Sequence, residues 1–239
     1  MVEKLRVYFC YSAVLICVFL FGALLYAAGN EKGVEVVTAS ADVRPVIVID
    51  AGHGGEDGGA EANGVLEKNI NLPIALKLRD MLVMMGYDVK MVRESDISVY
   101  DKEAETVRDK KVSDIKNRVA VINSSRNNVL VSIHQNKFEQ TKYKGAQVFY
   151  SDNSPESIKL AECIRKSVTG LLQPENKREL KADDDSVYIL KKAEVPAVIV
   201  ECGFLSNEQE AALLKTDEYQ NKMAFAIMCG TMDFLNSRS

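Results

Sequence analysis

Apolar residues follow two different patterns along the chain. Residues 7–28 form a run of 22 without a single charge. As a helix rising ~1.5 Å per residue, such a run spans roughly 33 Å, enough to cross the core of a bilayer. Lys4 and Arg6 precede it, so the positive-inside rule keeps residues 1–6 in the cytoplasm and sends the rest of the chain outside. The other reading is a cleaved signal peptide. The apolar stretch of a signal is usually about 7–15 residues, shorter than this one, and the triplet Ala39-Ser40-Ala41 lies well past its end. Residues 29–44 read as a polar linker, and Pro45 opens a folded part covering 45–239.

Beyond the linker, short β-branched runs alternate with longer stretches at helical spacing. Residues 45–50 (PVIVID) predict a buried strand. Ile74, Leu78, Met81, Leu82 and Met85 recur with helical period, so a helix follows and ends at Gly86. Asn71 is its expected N-cap, with Pro73 in the first turn. Further strands are expected at 87–93, 129–133, 145–150, 187–190 and 197–201. Helices are expected at 113–124, 155–171, 207–214 and 217–235. The alternation predicts an α/β domain, a largely parallel sheet of about six strands with helices on both faces, preceded by one N-terminal membrane helix. There is no internal repeat.

Composition changes this picture little. Of 239 residues, 47% are hydrophobic and 27% charged, the balance of an ordinary globular protein. The net charge is −4 and tryptophan is absent, so there is neither a basic field nor a stacking surface for nucleic acid. Cys10 and Cys17 fall in the apolar run; Cys163, Cys202 and Cys229 are scattered, with no CxxC pair. These three are expected to be buried free thiols.

The chemistry concentrates at strand ends. Ligands of α/β sheets bind beyond the carboxyl ends of the strands. His53 follows the first strand, His134 follows the strand at 129–133, and Glu201 closes the last. They include the chain's only two histidines. Asp50-Ala-Gly-His-Gly-Gly55 could be read as a phosphate cradle, but no GK[ST] follows and the glycines lack GxGxxG spacing. Glycines around a lone histidine instead allow a sharp turn that exposes the ring. Two imidazoles on one edge point to a shared metal site, and a catalytic zinc takes three protein ligands and leaves a fourth position open. Glu67 is the third candidate; Glu56, Asp57 and Glu61 are nearer in sequence but lie in the loop. A glutamate favoured by a helix dipole is the plain alternative for Glu67. Glu201, charged at the end of an apolar strand, needs a partner or a task, and general base to an attacking water suits its position.

Four motifs, DAGHGG at 50–55, EK at 67–68, SIHQN at 132–136 and ECGFLSN at 201–207, resemble those of the type-3 zinc-dependent N-acetylmuramoyl-L-alanine amidases. The resemblance covers roughly residues 45–236. It implies one zinc ion held by His53, Glu67 and His134, with Glu201 as the catalytic glutamate. Asn136, in the third motif, is a candidate substrate-binding residue. Arg118 and Asn123 match an Arg…Asn pattern taken as structural. The implied reaction is hydrolysis of the amide joining N-acetylmuramic acid to L-alanine in peptidoglycan. A zinc carboxypeptidase or deacetylase, or a non-catalytic wall-binding or activator module, are the other classes compatible with such a site.

The chain departs from the family pattern at Ala51, where proline is usual, at Lys137, where a small residue is usual, and at Cys202, where valine is common. No ligand position is lost. The segment 95–112 is longer and more charged than the usual link. With the apolar N-terminal run, it makes the chain look most like the germination-specific, spore-cortex amidases. That subgroup implies an extracytoplasmic catalytic domain in the forespore or cortex space. It also implies a functional partnership with a polysaccharide deacetylase that completes muramic-δ-lactam. An activating or targeting envelope protein is the expected partner, with segment 95–112, emerging on the zinc edge, as its docking candidate. Asp183-Asp184-Asp185 reads as a solvated loop.

Overall fold

The computed structural model describes residues 44–183 and 186–238. The apolar run 7–28 lies outside them, and among the described residues no helix is long and apolar enough to cross a membrane. The strands are β1 (Val46–Ala51), β2 (Glu61–Ala62), β3 (Val65–Leu66), β4 (Val89–Met91), β5 (Asn128–Asn136), β6 (Gln147–Tyr150), β7 (Lys181–Ala182) and β8 (Ala197–Phe204). The helices are α1 (Lys68–Met84), α2 (Val107–Ile122), α3 (Pro155–Leu171), α4 (Tyr188–Lys192), α5 (Glu208–Leu214) and α6 (Asp217–Asn236).

Six strands form one sheet in the order β4-β1-β5-β8-β6-β7. β4, β1, β5 and β8 run parallel, while β6 pairs antiparallel with β8 and carries β7 parallel to itself. The sheet is therefore mixed, with a parallel centre. Both faces are buried, as the near-continuous apolar strands require. Ile47, Ile49, Val131 and Val200 join Leu78, Leu160, Ile164 and Ile227 of α1, α3 and α6 on one face. Val48, Leu130 and Ile199 join Ile122 of α2 and Leu190 of α4 on the other. Full burial of a side chain such as Leu78 contributes about 1.5–3 kcal/mol.

Three expectations need correction. Residues 187–190 are not a strand: Lys191 and Ala193 donate to the carbonyls of Val187 and Ile189, closing the turns of α4. Ile189 and Leu190, adjacent in sequence, both enter the same core cluster, whereas a strand would send them to opposite faces. The sixth strand is β7. Asn71 does not cap α1: that helix begins at Lys68 after Glu67 and runs through Pro73. Segment 95–112 is not all loop either, because Thr106 caps α2 by accepting from the Asp109 amide, and residues 107–112 are its first turns.

Cys202 is buried, as expected, but Cys163 and Cys229 are only partly so. Asp183 accepts from the Val187 amide at the start of α4; residues 184 and 185 lie outside the described residues. Asn123 joins α2 to the segment after α4, donating to the Lys192 carbonyl and accepting from the Glu194 amide.

Candidate metal centre and catalytic edge

β5 and β8 are longer than the pattern predicts, so His134 sits within its strand rather than after it, and Glu201 lies inside its strand rather than at its end. They are register partners on neighbouring strands, as are Asp50 and Ser132. Period-two alternation puts all four on the face covered by α2 and α4.

His53 comes from the glycine loop after β1, with φ +61°, a left-handed conformation that a residue with a Cβ adopts rarely. Two arginines hold that loop. Arg93 donates from Nε to the Ala51 carbonyl at 2.8 Å and from Nη2 to the Gly52 carbonyl at 3.0 Å. Arg118, 3% exposed, donates from Nη2 to the His53 carbonyl at 2.8 Å and from Nη1 to the Ala51 carbonyl at 3.0 Å. Its charge is met by Asp50 at 2.6 Å and Asp114 at 2.6 Å. Burial works against the ionised form of Asp50, but Arg118, together with His134 and the Ser132 hydroxyl, more than offsets it and holds that carboxyl below its ordinary value.

Glu67 arrives by a device missed in the sequence. Asn63 and Gly64, at φ +50° and +69°, form the two-residue turn between β2 and β3, and an Asn-Gly pair is the signal that would have found it. After the hairpin, the Glu67 amide donates to the Ala60 carbonyl, and its Oε2 accepts from the Ala60 amide at 2.8 Å. Its other oxygen, Oε1, accepts from the Gln135 amide and from Asn71 Nδ2.

The three side chains converge. Glu67 Oε2 lies 3.1 Å from His53 Nε2, and Oε1 lies 2.9 Å from His134 Nδ1. The imidazole rings meet edge-on, with centroids 5.1 Å apart. One donor atom from each residue fits within 4.8 Å of the others. Asp57 takes His53 Nδ1 at 2.9 Å, which leaves Nε2 facing the centre; metal-binding histidines are commonly oriented by such a partner. Of the other acids, Glu56 pairs with Lys110 and Glu61 is exposed on β2. Two glycines make room. A Cβ at position 52 would run into the His134 ring, and one at position 59 would lie 2.6 Å from both Glu67 Oε2 and His53 Cδ2.

The charges are tightly coupled. Burial disfavours the charged imidazole of His53, but the Glu67 carboxylate overcomes it and raises that ring to about 9. His134 is raised by the same balance, and Glu67 is held well below the usual carboxylate range despite its burial. Glu201 behaves differently: burial pushes its carboxyl up to about 7, with His134 opposing. Its Oε2 is buried without a hydrogen-bond partner. Asn136 lies two residues beyond His134, and its carbonyl accepts from the Leu205 amide.

Segment 95–112 folds onto the same edge, as expected. Asp96 accepts from the Gly55 amide and pairs with Lys68 at 2.8 Å. Ser98 Oγ donates to the Gly54 carbonyl, and the Val99 amide donates to Asp114, the partner of Arg118.

A parallel-centred α/β sheet bearing two imidazoles and two carboxylates on its carboxyl edge defines a hydrolase with a candidate metal site. Residues 47–232 match the N-acetylmuramoyl-L-alanine amidase family, and the chain belongs to that family of enzymes, which cleave the bond between muramic acid and the stem peptide of peptidoglycan. It is 34% identical to the germination-specific N-acetylmuramoyl-L-alanine amidase of Bacillus subtilis over 193 residues, 81% of each chain. The structure of the CwlD amidase from Clostridioides difficile, in complex with the GerS lipoprotein, superposes with a TM-score of 0.78 at 43% identity, covering 81% of this chain and all of that one. AmiC2 of Nostoc punctiforme superposes with a TM-score of 0.68 at 29% identity, over 80% of this chain and 97% of its own.

Proposed function

We propose that the chain is a zinc-dependent amidase of the spore cortex, with His53, Glu67 and His134 as zinc ligands and Glu201 as general base. The observation that carries this reading is the convergence of the three donors within 4.8 Å beside a buried carboxylate whose Oε2 has no partner. Two imidazole nitrogens and one carboxylate oxygen form a donor set that suits zinc and leaves a position open. Bound there, zinc would act as a Lewis acid, making water acidic near neutral pH and polarising the scissile carbonyl.

The chain's own residues then divide the work. Asp57 fixes the His53 ring, and Asn71 and the Gln135 amide fix the Glu67 carboxylate. Glu201 accepts the proton of the attacking water and returns it to the departing alanine nitrogen. Its burial raises its basicity, which suits a base operating near neutrality. No serine or cysteine competes for the role of nucleophile, since both histidines are committed to the centre. Asn136, two residues beyond His134 on β5, is the candidate substrate-binding residue.

The cortex assignment rests on likeness to the germination-specific relative. In that setting the product is a peptide-free muramic residue, which a polysaccharide deacetylase would take on to muramic-δ-lactam. Residues 7–28 serve as the anchor, 29–44 as the linker, and 45–239 as the catalytic domain in the extracytoplasmic space. The GerS complex of the Clostridioides difficile neighbour supports an envelope lipoprotein as activating partner. Segment 95–112, bonded to the loop that carries His53, is its docking candidate.

Digestion of purified cortex peptidoglycan followed by mass spectrometry tests the activity. Free stem peptides with intact glycan strands are expected. Loss of only the terminal D-alanine would mean a carboxypeptidase, and loss of acetyl groups a deacetylase.

A further inference from the structure

A cavity of about 470 Å³ opens beside His53 and His134, between the glycine loop and α2. Val112, Ile115 and Ile189 give it apolar walls, and Tyr100, Lys110 and Lys111 stand around it. The two lysines are not equivalent. Lys110 Nζ is bound to both oxygens of Glu56, at 3.2 and 3.1 Å, and lies 5.1 Å from the centre of the Tyr100 ring. Lys111 is 66% exposed, and its ion pair, with Asp57 Oδ1, is 3.8 Å long, beyond hydrogen-bond length. The other oxygen of Asp57 belongs to His53. Asp50 and Asp114, which also line the cavity, are taken by Arg118. Lys111 is therefore the cation at this cavity with hydrogen-bonding capacity to spare.

A muramoyl-L-alanine amide leaves the reacting carbon in two directions. The glycan arm is uncharged. The peptide arm carries free carboxylates, beginning with the residue after the alanine. An apolar cavity with an exposed, only loosely paired ammonium at its rim, continuous with the candidate metal centre, complements the second arm. We infer that this cavity receives the stem peptide and that Lys111 pairs with the α-carboxylate of the glutamate following L-alanine. The inference rests on the amidase reading and adds the determinant of its peptide preference.

The test uses the full chain in detergent, loaded with zinc, and two soluble muropeptides that differ only at that glutamate. One carries the free α-carboxylate and the other its carboxamide. Wild type should favour the acid, with Lys111→Met raising KM for the acid about tenfold, the loss of one charge-assisted contact. The turnover number, the zinc content and the KM for the amide should not move. Lys111→Arg should keep the preference, and added salt should erode it. Equal effects of Lys111→Met on both substrates, or none on either, would overturn the inference while leaving the amidase reading intact. If wild type released peptide from neither muropeptide, the amidase reading would fail and the inference with it.

Discussion

Arg118 Nη2 donates a 2.8 Å hydrogen bond to the main-chain carbonyl of His53, 65 residues earlier in the chain. That carbonyl belongs to the residue at φ +61°, so a buried guanidinium holds a candidate metal ligand in a conformation it would not choose alone. The same guanidinium neutralises Asp50 beneath the site.

Replacing Arg118 by methionine should loosen the His53 loop and leave Asp50 as an unpaired buried charge. The expected result is a loss of about 3–5 kcal/mol of stability together with weaker zinc affinity, read by thermal denaturation and by competition with a chelator. Arg118→Lys keeps the charge but not the planar fork, so it should recover stability more than it recovers metal affinity.

Ligand and base should separate cleanly. His134→Ala removes one of three donors and should purify with little zinc and little activity. Glu201→Gln keeps the donors, so its zinc content should match wild type while its rate falls by about 10²–10⁴. Elemental analysis paired with the amidase assay checks both. A His134→Ala protein with full zinc and full activity would contradict the site.

Acid should unfold the domain partly through Asp50. Its carboxyl is held below the ordinary 3.8, so its contribution is complete above that value and is lost as pH falls through the lower folded value. Asp50→Asn should be less stable at pH 7 but should lose less of what remains between pH 4 and pH 2. Denaturant unfolding across that range measures the two slopes.

The apolar run 7–28 should place the full chain with the membrane fraction, and external protease should reach the catalytic domain. Recovery of a soluble form beginning near residue 42 would instead establish a cleaved signal.

The edge residues were legible in the sequence because strand patterning is local. β-branched runs mark β1, β5 and β8, and a histidine or glutamate at the end of such a run falls on the carboxyl edge of an α/β sheet. Glu67 was harder, since three other acids lie nearer His53 in sequence. The motif order favoured Glu67, but the hairpin at Asn63-Gly64 that delivers it was missed. The run at 187–190 misled because β-branched residues in so short a segment fit a strand and a single helical turn equally well. Packing decided it, by drawing Ile189 and Leu190 to one face.

By itself, then, the sequence determined the alternating fold, the edge on which the chemistry sits, and His53, Glu67, His134 and Glu201 as its members. The fold, the edge, and His53, His134 and Glu201 on it follow from residue types and spacing along short runs, whereas Glu67 among the nearby acids follows from the resemblance of the motifs to those of the amidases. Only the tertiary structure decided what holds them: Arg93 and Arg118 on the His53 loop, Asp57 on its ring, and Asn71 and the Gln135 amide on Glu67. It also decided that segment 95–112 folds against the loop and that Lys111 faces a cavity. Apart from Asp57 with His53 and Asn71 with Glu67, each four residues apart, the contacts join groups distant in sequence: Arg118 reaches the loop from α2, Arg93 from the chain after β4, and the Gln135 amide reaches Glu67 from β5. No local pattern records them, because the burial that makes a guanidinium–carbonyl bond worthwhile exists only once the core has closed.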